Sequence, residues 1–317
     1  MDIEIIGSES MGVRSLCCFV KTRKQQILID PGIALGYTRK GLLPHPLQVA
    51  VDERIQKLIK KRWTQATDIV FSHYHGDHIP LVDANPYQLK AKDLKGPRKD
   101  VRIWGKDVSN LSATQIKRAD AISTIFKKEP IIADGNHYGS LTFSEEVPHG
   151  KVNSPLGTVI MTKITENITF VHASDIQLLN DRAINKILDW SPDIVLVGGP
   201  PLYLSGKLSK YQIDKAWNNA KILSLRVDKL ILDHHIMRNY EGIKWLKRLS
   251  DKSGKDVMCS ADFMKKPRML LEAKREQLYM DMKVPETWHK DYAKGKVSTE
   301  YYWDLAKGLY KSIQLIV

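Results

Sequence analysis

The order of elements along the chain predicts an α/β protein, a four-layer αββα sandwich with a C-terminal helical extension. Three observations carry that expectation. Short strands run consecutively at the start of the chain and again near its middle. Each run then gives way to alternating strands and helices, and about fifty residues at the end keep only helical spacing. Two sheets with helices on their outer faces satisfy this order.

The elements follow in sequence. Residues 3–6, 16–21 and 26–30 are short, apolar or β-branched, and are separated by Gly7-Ser8 and a polar turn at 22–24. Asp30-Pro31-Gly32 supplies turn residues after the third strand. Residues 51–63 have helical spacing, with Ile55, Leu58 and Ile59 on one face. Strands are expected at 68–71, 101–104 and 130–133, and a helix at 112–126. The second half repeats the pattern, with strands at 140–147, 158–165 and 168–172. A helix is then expected at 178–188, a strand at 193–197, a helix at 209–225, a strand at 229–232, a helix at 242–249 and a strand at 256–259. Helices are expected at 268–279 and 299–316. Two units follow, a main domain at 1–264 and a helical extension at 265–317 packed on the core, over the site or beside it.

The chain has 317 residues, 43% hydrophobic and 27% charged, the composition of an ordinary globular protein. No apolar run reaches the length of a membrane helix, and the first residues lack the basic start and apolar core of a secretory signal. Cys17, Cys18 and Cys259 make no disulfide framework, and strand alternation sends Cys17 and Cys18 to opposite faces. A cytoplasmic setting is expected, with no membrane partner. The net charge of +13 is spread over short clusters such as Lys60-Lys61-Arg62 and Lys265-Lys266-Arg268. It suits a polyanionic partner, although solvated helix faces account for much of it.

Residues 71–79, FSHYHGDHI, concentrate the chemistry. Residues i and i+2 of an extended segment point the same way, so His73 and His75 can aim at one ion. Gly76 permits a sharp turn that swings Asp77 and His78 toward a second point. Imidazole with carboxylate suits zinc, iron or manganese better than calcium or magnesium. Further donors are sought at strand ends: His149 after 140–147, Asp175 in FVHASD, and His234 or His235 in LILDHH. His172 reads as a core residue or one that supports the ligands from behind. His45, His137 and His289 read as ordinary polar residues, with a general acid entering the site as the alternative for each, and Gly198-Gly199 as a turn or as room for substrate.

HxHxDH followed by a lone His, a lone Asp and a last His resembles the metallo-β-lactamase superfamily over about residues 1–264, most nearly an uncharacterised archaeal group within it. The resemblance implies the αββα fold already read from the element order. It also implies two divalent cations per chain, zinc with iron or manganese as alternatives. His73, His75 and His149 would hold one. Asp77, His78 and a last-motif His would hold the other, with His234 favoured by the strand end and His235 of the same chemistry. Asp175 would bridge them, and Asp30 would support the ligands from behind. The family's usual Gly-Asp is here Ser174-Asp175.

The expected activity is hydrolysis by a hydroxide shared between the two ions, with Asp77 or Asp175 holding the proton. The substrate would be a phosphoester, of a small molecule or a nucleic acid. Lactone or thioester hydrolysis is the alternative, and a metal-stabilised nucleic-acid-binding scaffold the non-catalytic one. The separation of 59 positions from Asp175 to His234 leaves no room for a long inserted cap. His75 stands where redox di-iron relatives resemble HxExD.

Overall fold

The computed structural model describes residues 1–313. The first sheet has strand order β1-β2-β3-β4-β5-β6: Asp2–Ser8, Leu16–Lys21, Gln26–Ile29, Asp68–Phe71, Arg102–Gly105 and Ile131–Ile132. β1 to β3 are antiparallel and β3 to β6 parallel. Chain order continues with β7 (His137–Tyr138), β8 (Leu141–Phe143), β9 (Val147–Pro148) and β10 (Thr158–Val159). Then come β11 (Thr162–Thr165), β12 (Thr169–His172), β13 (Ile194–Gly198), β14 (Lys229–Asp233) and β15 (Val257–Met258). The second sheet runs β15-β14-β13-β12-β11-β8-β7, parallel from β12 to β15, while β9 and β10 form a separate ribbon.

The helices are α1 (Pro46–Gln65), α2 (Ala113–Phe126), α3 (Asp181–Asp189), α4 (Lys210–Arg226), α5 (Glu241–Ser253), α6 (Ser260–Phe263), α7 (Arg275–Asp281), α8 (Trp288–Ala293) and α9 (Glu300–Ile313). Ile5, Cys18, Ile27, Ile29 and Val70 pack with Phe143, Phe170 and Leu196 of the second sheet, so one core lies between the sheets. Ile6, Cys17, Leu28, Ile69 and Ile103 pack instead with Ile55, Ile59 and Trp63 of α1 and with Ile122 of α2. Cys17 and Cys18 therefore occupy different layers, as strand alternation requires.

Several boundaries depart from the sequence expectation for identifiable reasons. α1 begins at Pro46 rather than 51: His45 accepts from Leu47 N, Gln48 reaches back to the His45 N–H, and Pro46 opens the first turn. Residues 158–165 are two strands, because Ile160 N donates to Ser72 O and breaks the ladder. Residues 140–147 are likewise divided between β8 and β9. The helix expected from 178 starts at Asp181 after the cap Asn180, because Gln177 and Leu178 have positive φ. The helix expected at 268–279 starts only at Arg275; Met269 N donates to Ser10 O and pairs with Met11 instead. The expected end at 316 lies outside the described residues.

The C-terminal segment lies beside α1. Arg54 pairs with Glu300, Thr299 donates to Glu53, and the Tyr292 hydroxyl donates to Glu53 at 3.1 Å. Among the described residues, none beyond Arg238 lines the cavity above the histidine cluster, so the extension is beside the site and not over it.

Candidate metal centre

The parallel strands of both sheets deliver their carboxyl ends to one edge. β4 runs into His73–His78, β12 into Asp175, β14 into His234-His235, and the β9 ribbon into His149. Ligand sites at the carboxyl ends of parallel strands follow from this geometry, because the connecting loops are free to carry chemistry. Asp175 Oδ2 sits at the centre. The Nε2 atoms of His149, His78, His234, His235 and His73 lie 3.2, 3.3, 3.5, 3.5 and 3.8 Å from it. His73 Nε2 and His75 Nδ1 are 3.1 Å apart, and Asp77 Oδ2 is 3.5 Å from His234 Nε2.

These spacings suit a tetrahedral cation. Bonds of about 2.1 Å place neighbouring donor atoms about 3.4 Å apart. Two converging groups can be distinguished: His73, His75, His149 and Asp175, and Asp77, His78 and His234. His235 joins Asp175 and His234 in a third. His78 Nε2, His149 Nε2 and Asp175 Oδ1 are buried without a hydrogen-bond partner. Orphaned buried lone pairs are costly unless something fills them, so the residues fit metal ions.

The distal nitrogens explain why the lone pairs face inward. Ser72 Oγ donates to Asp30 Oδ2 at 2.6 Å and has no second proton to give. It must therefore accept from His73 Nδ1–H (2.9 Å) and from the Ser174 hydroxyl (2.7 Å). His78 Nδ1–H donates to Asp30 Oδ2 at 3.0 Å. His149 Nδ1 lies 3.3 Å from the Gln177 amide. In His73 and His78 the outer N–H is occupied, which turns Nε2 toward the centre, where it can give a lone pair to a cation; at His149 the Gln177 amide nitrogen instead fixes the ring by donating to Nδ1.

The backbone is strained where it carries these groups. Asp30, Ser174, Gln177, Leu178 and His234 all have positive φ, half of such non-glycine residues among those described. Ser174 has φ 50°, a conformation that favours glycine. The family's usual glycine before the Asp thus has a conformational reason, and serine keeps the same backbone while adding the bond to Ser72. Gly32 is indispensable in a different way. A Cβ there would lie 2.0 Å from Ile79 N and 2.2 Å from His78 C, so only glycine lets the Asp30 loop reach His78.

Gly76, expected to permit the sharp turn, does not have positive φ, and a Cβ there would meet only the end of the Leu81 side chain at 2.9 Å. Gly198 makes room for Asp175 and Gly199 for Ile236, so their smallness serves the chain itself.

Burial alone would lower His78, but the Asp175 and Asp30 carboxylates outweigh it and hold the ring well above its usual range. Burial, together with the His78 and His75 rings, holds His73 well below. Burial also opposes ionisation of Asp77 and Asp175. Nearby His78 and His234, with Arg238 beside Asp77 and His235 beside Asp175, reverse that and hold both carboxyls well below the carboxylate range.

The other histidines stay apart from the centre. His172 is buried with Nε2 on Leu16 O at 2.8 Å, His45 caps α1, His289 lies between the Tyr87 and Tyr279 hydroxyls, and His137 is on the surface. Residues that the sequence reading passed over complete the site. Ser72 is a neighbour of His73, and Arg238 stands one helical turn after His234, a spacing that offered a signal. Glu9, Tyr203 and Gln177 offered none.

A cavity of about 650 Å³ opens above the cluster, with His75, Asp77, His149, Asp175 and His235 on its floor. Arg118, Lys151, Lys207 and Arg238 give its walls positive charge, and Leu156, Leu204 and Leu208 give them apolar surface.

The Metallo-beta-lactamase superfamily profile matches residues 11–164. A UPF0282 protein of Methanosarcina mazei is 44% identical over 306 residues, covering 95% of this chain and 99% of its own length. A UPF0282 protein of Pyrococcus horikoshii is 34% identical over 291 residues, covering 88% of this chain and 93% of its own. Among solved structures, an isothiocyanate hydrolase from Delia radicum gut bacteria aligns with TM-score 0.49 and 15% identity, over 78% of this chain and 94% of that one. The histidine-aspartate edge between two mixed sheets thus has relatives along nearly its whole chain, and the protein belongs to the UPF0282 proteins of the metallo-β-lactamase superfamily.

Proposed function

We propose that this protein is a metal-dependent hydrolase of phosphoesters. The observation that carries the reading is the pairing of two converging donor groups with a cavity whose walls hold four cationic side chains. His73, His75, His149 and Asp175 would hold one divalent cation; Asp77, His78 and His234 would hold the second, with Asp175 between them. Zinc fits the donor set, and so do iron and manganese. When bound, such ions lower the pKa of water and polarise a scissile bond.

The chain's own residues supply the rest. Asp77 is the more exposed carboxylate, its side chain 21% exposed against 2% for Asp175, so it is the one that can accept a hydrogen bond from water or substrate at the cavity floor. Asp30, Ser72 and Gln177 orient the rings. The cationic walls bind an anionic ester, and the three leucines leave room for an apolar group on it. Inward lone pairs with no protein partner argue against a purely structural site, which is closed and rich in thiolate.

The test is turnover of bis-p-nitrophenyl phosphate by protein loaded with zinc or manganese, set beside a lactone and a thioester. Metal-dependent cleavage that is lost in Asp77→Ala supports the reading. Cleavage of the lactone or thioester alone replaces the substrate class, and nucleic-acid binding that survives Asp77→Ala without turnover of any ester leaves the scaffold.

A further inference from the structure

Arg238 is the one cavity cation with no mobility to spare. Its side chain is 6% exposed, and four of its five N–H groups have acceptors. Nε donates to the buried Glu9 carboxylate at 3.0 Å, and Nη1 donates to the Tyr203 hydroxyl at 2.9 Å. Nη2 lies 3.0 Å from His234 Nε2 and 3.3 Å from Asp77 Oδ2. Glu9 and Tyr203 belong to none of the converging donor groups, so their bonds to the guanidinium do not compete with a cation for an acceptor.

The two acceptors of Nη2 are the same atoms that would hold the second cation. A lone pair given to a metal cannot also accept an N–H. With the cation in place, the Nη2 proton aimed at His234 and the spare Nη1 proton lack a protein acceptor, in a buried and permanently charged group, while Asp77 Oδ2 keeps a second lone pair for the other Nη2 proton. We infer that Arg238 is the anion-binding residue of the cavity, a place-holder for the second cation that passes its N–H groups to an anionic oxygen of the substrate once that cation binds. This rests on the hydrolase reading only for the substrate's identity; the binding of an oxyanion beside a filled centre stands apart from turnover.

The experiment measures binding of inorganic phosphate to the zinc-loaded protein by calorimetry, with acetate as a second probe. Arg238→Met would leave Glu9 as a buried unpaired charge, so the double variant E9Q/R238M is measured too, alongside Arg238→Lys. Wild type is expected to bind phosphate about 30-fold more tightly than the double variant, with Arg238→Lys between them because the fork is lost and the charge kept. Zinc titration of the metal-free proteins gives an independent reading. Removing the competitor for His234 and Asp77 is expected to tighten the weaker zinc equivalent in E9Q/R238M.

Phosphate affinity within twofold of wild type in the double variant overturns the inference, as does loss of the weaker zinc equivalent in that variant. Acetate binding with the same dependence on Arg238 supports it and assigns a carboxylate as the anion. Arg238-dependent phosphate binding in a protein that turns over no phosphoester supports the inference and rejects the phosphoesterase reading.

Discussion

Asp175 and Asp233 are both buried aspartates at the carboxyl edge of the second sheet, and their surroundings are opposite. Asp233 accepts from Ser10 N and His234 N at one oxygen and from Ser8 Oγ, Ser10 Oγ and Ser260 N at the other. Its charge is answered by the chain. Asp175 Oδ1 has no partner, and Oδ2 faces a ring of imidazole nitrogens. A carboxylate whose donors are complete is a fixture of the fold, whereas one ringed by imidazole nitrogens is placed where it could share a cation with them. The difference also shows their cooperation: Asp233 fixes the backbone from which His234 reaches Asp175.

The contrast breaks most sharply at Asp175. Asp175→Ala should lower bound metal per chain to less than half that of wild type and cut ester hydrolysis by about a thousandfold or more, because in the proposed mechanism paired cations would supply the nucleophile. Chelation should lower the melting temperature of wild type by more than that of this variant. Elemental analysis and paired melts decide it; a variant that keeps its metal rejects the bridging role.

Asp233→Ala tests the other side. It strands five donors in the interior and should cost about 3 kcal/mol in denaturant unfolding. The same cost from Asp175→Ala in metal-free protein would erase the distinction.

Asp52 on α1 gives the smallest effect and sharpens the comparison by a third case. Gln56 donates to its Oδ2 at 2.7 Å, its Oδ1 has no partner, and no imidazole or cation answers it directly. Burial pushes its carboxyl up to about 8. The folded chain therefore keeps a proton that the unfolded chain releases near pH 4, so stability falls as pH rises from about 4 to about 8. Asp52→Asn cannot lose that proton and should gain on wild type across this window, by a few degrees in melting temperature at pH 8.5. A gap that does not change with pH removes Asp52 as its cause.

Most of the fold was legible because strand alternation and helical spacing are local signals. β4 was read at its observed bounds, and the two cysteines fell in the layers their positions implied. The donors were legible for a related reason: each ends a strand, and both sheets send those ends to one edge. What escaped was set by contacts between distant segments. Residues 268–274 have helical composition, yet the Ser10 carbonyl captures Met269 N and delays the helix. Nothing near Gly32 announces that Ile79 will press against it. Arg238 was passed over because a lone arginine is ordinary until Glu9, from the far end of the chain, is placed beside it.

The centre draws on segments from Asp30 to His235 and from both sheets, so neither sheet's stretch of chain alone contains it. Such long-range assembly belongs to the last stage of folding. Ions that bind only the finished protein stabilise it by mass action and leave the climb to the transition state untouched. Metal should accordingly slow unfolding while refolding proceeds at the same rate with or without it, which makes the centre a lock on the completed sandwich rather than a nucleus for it.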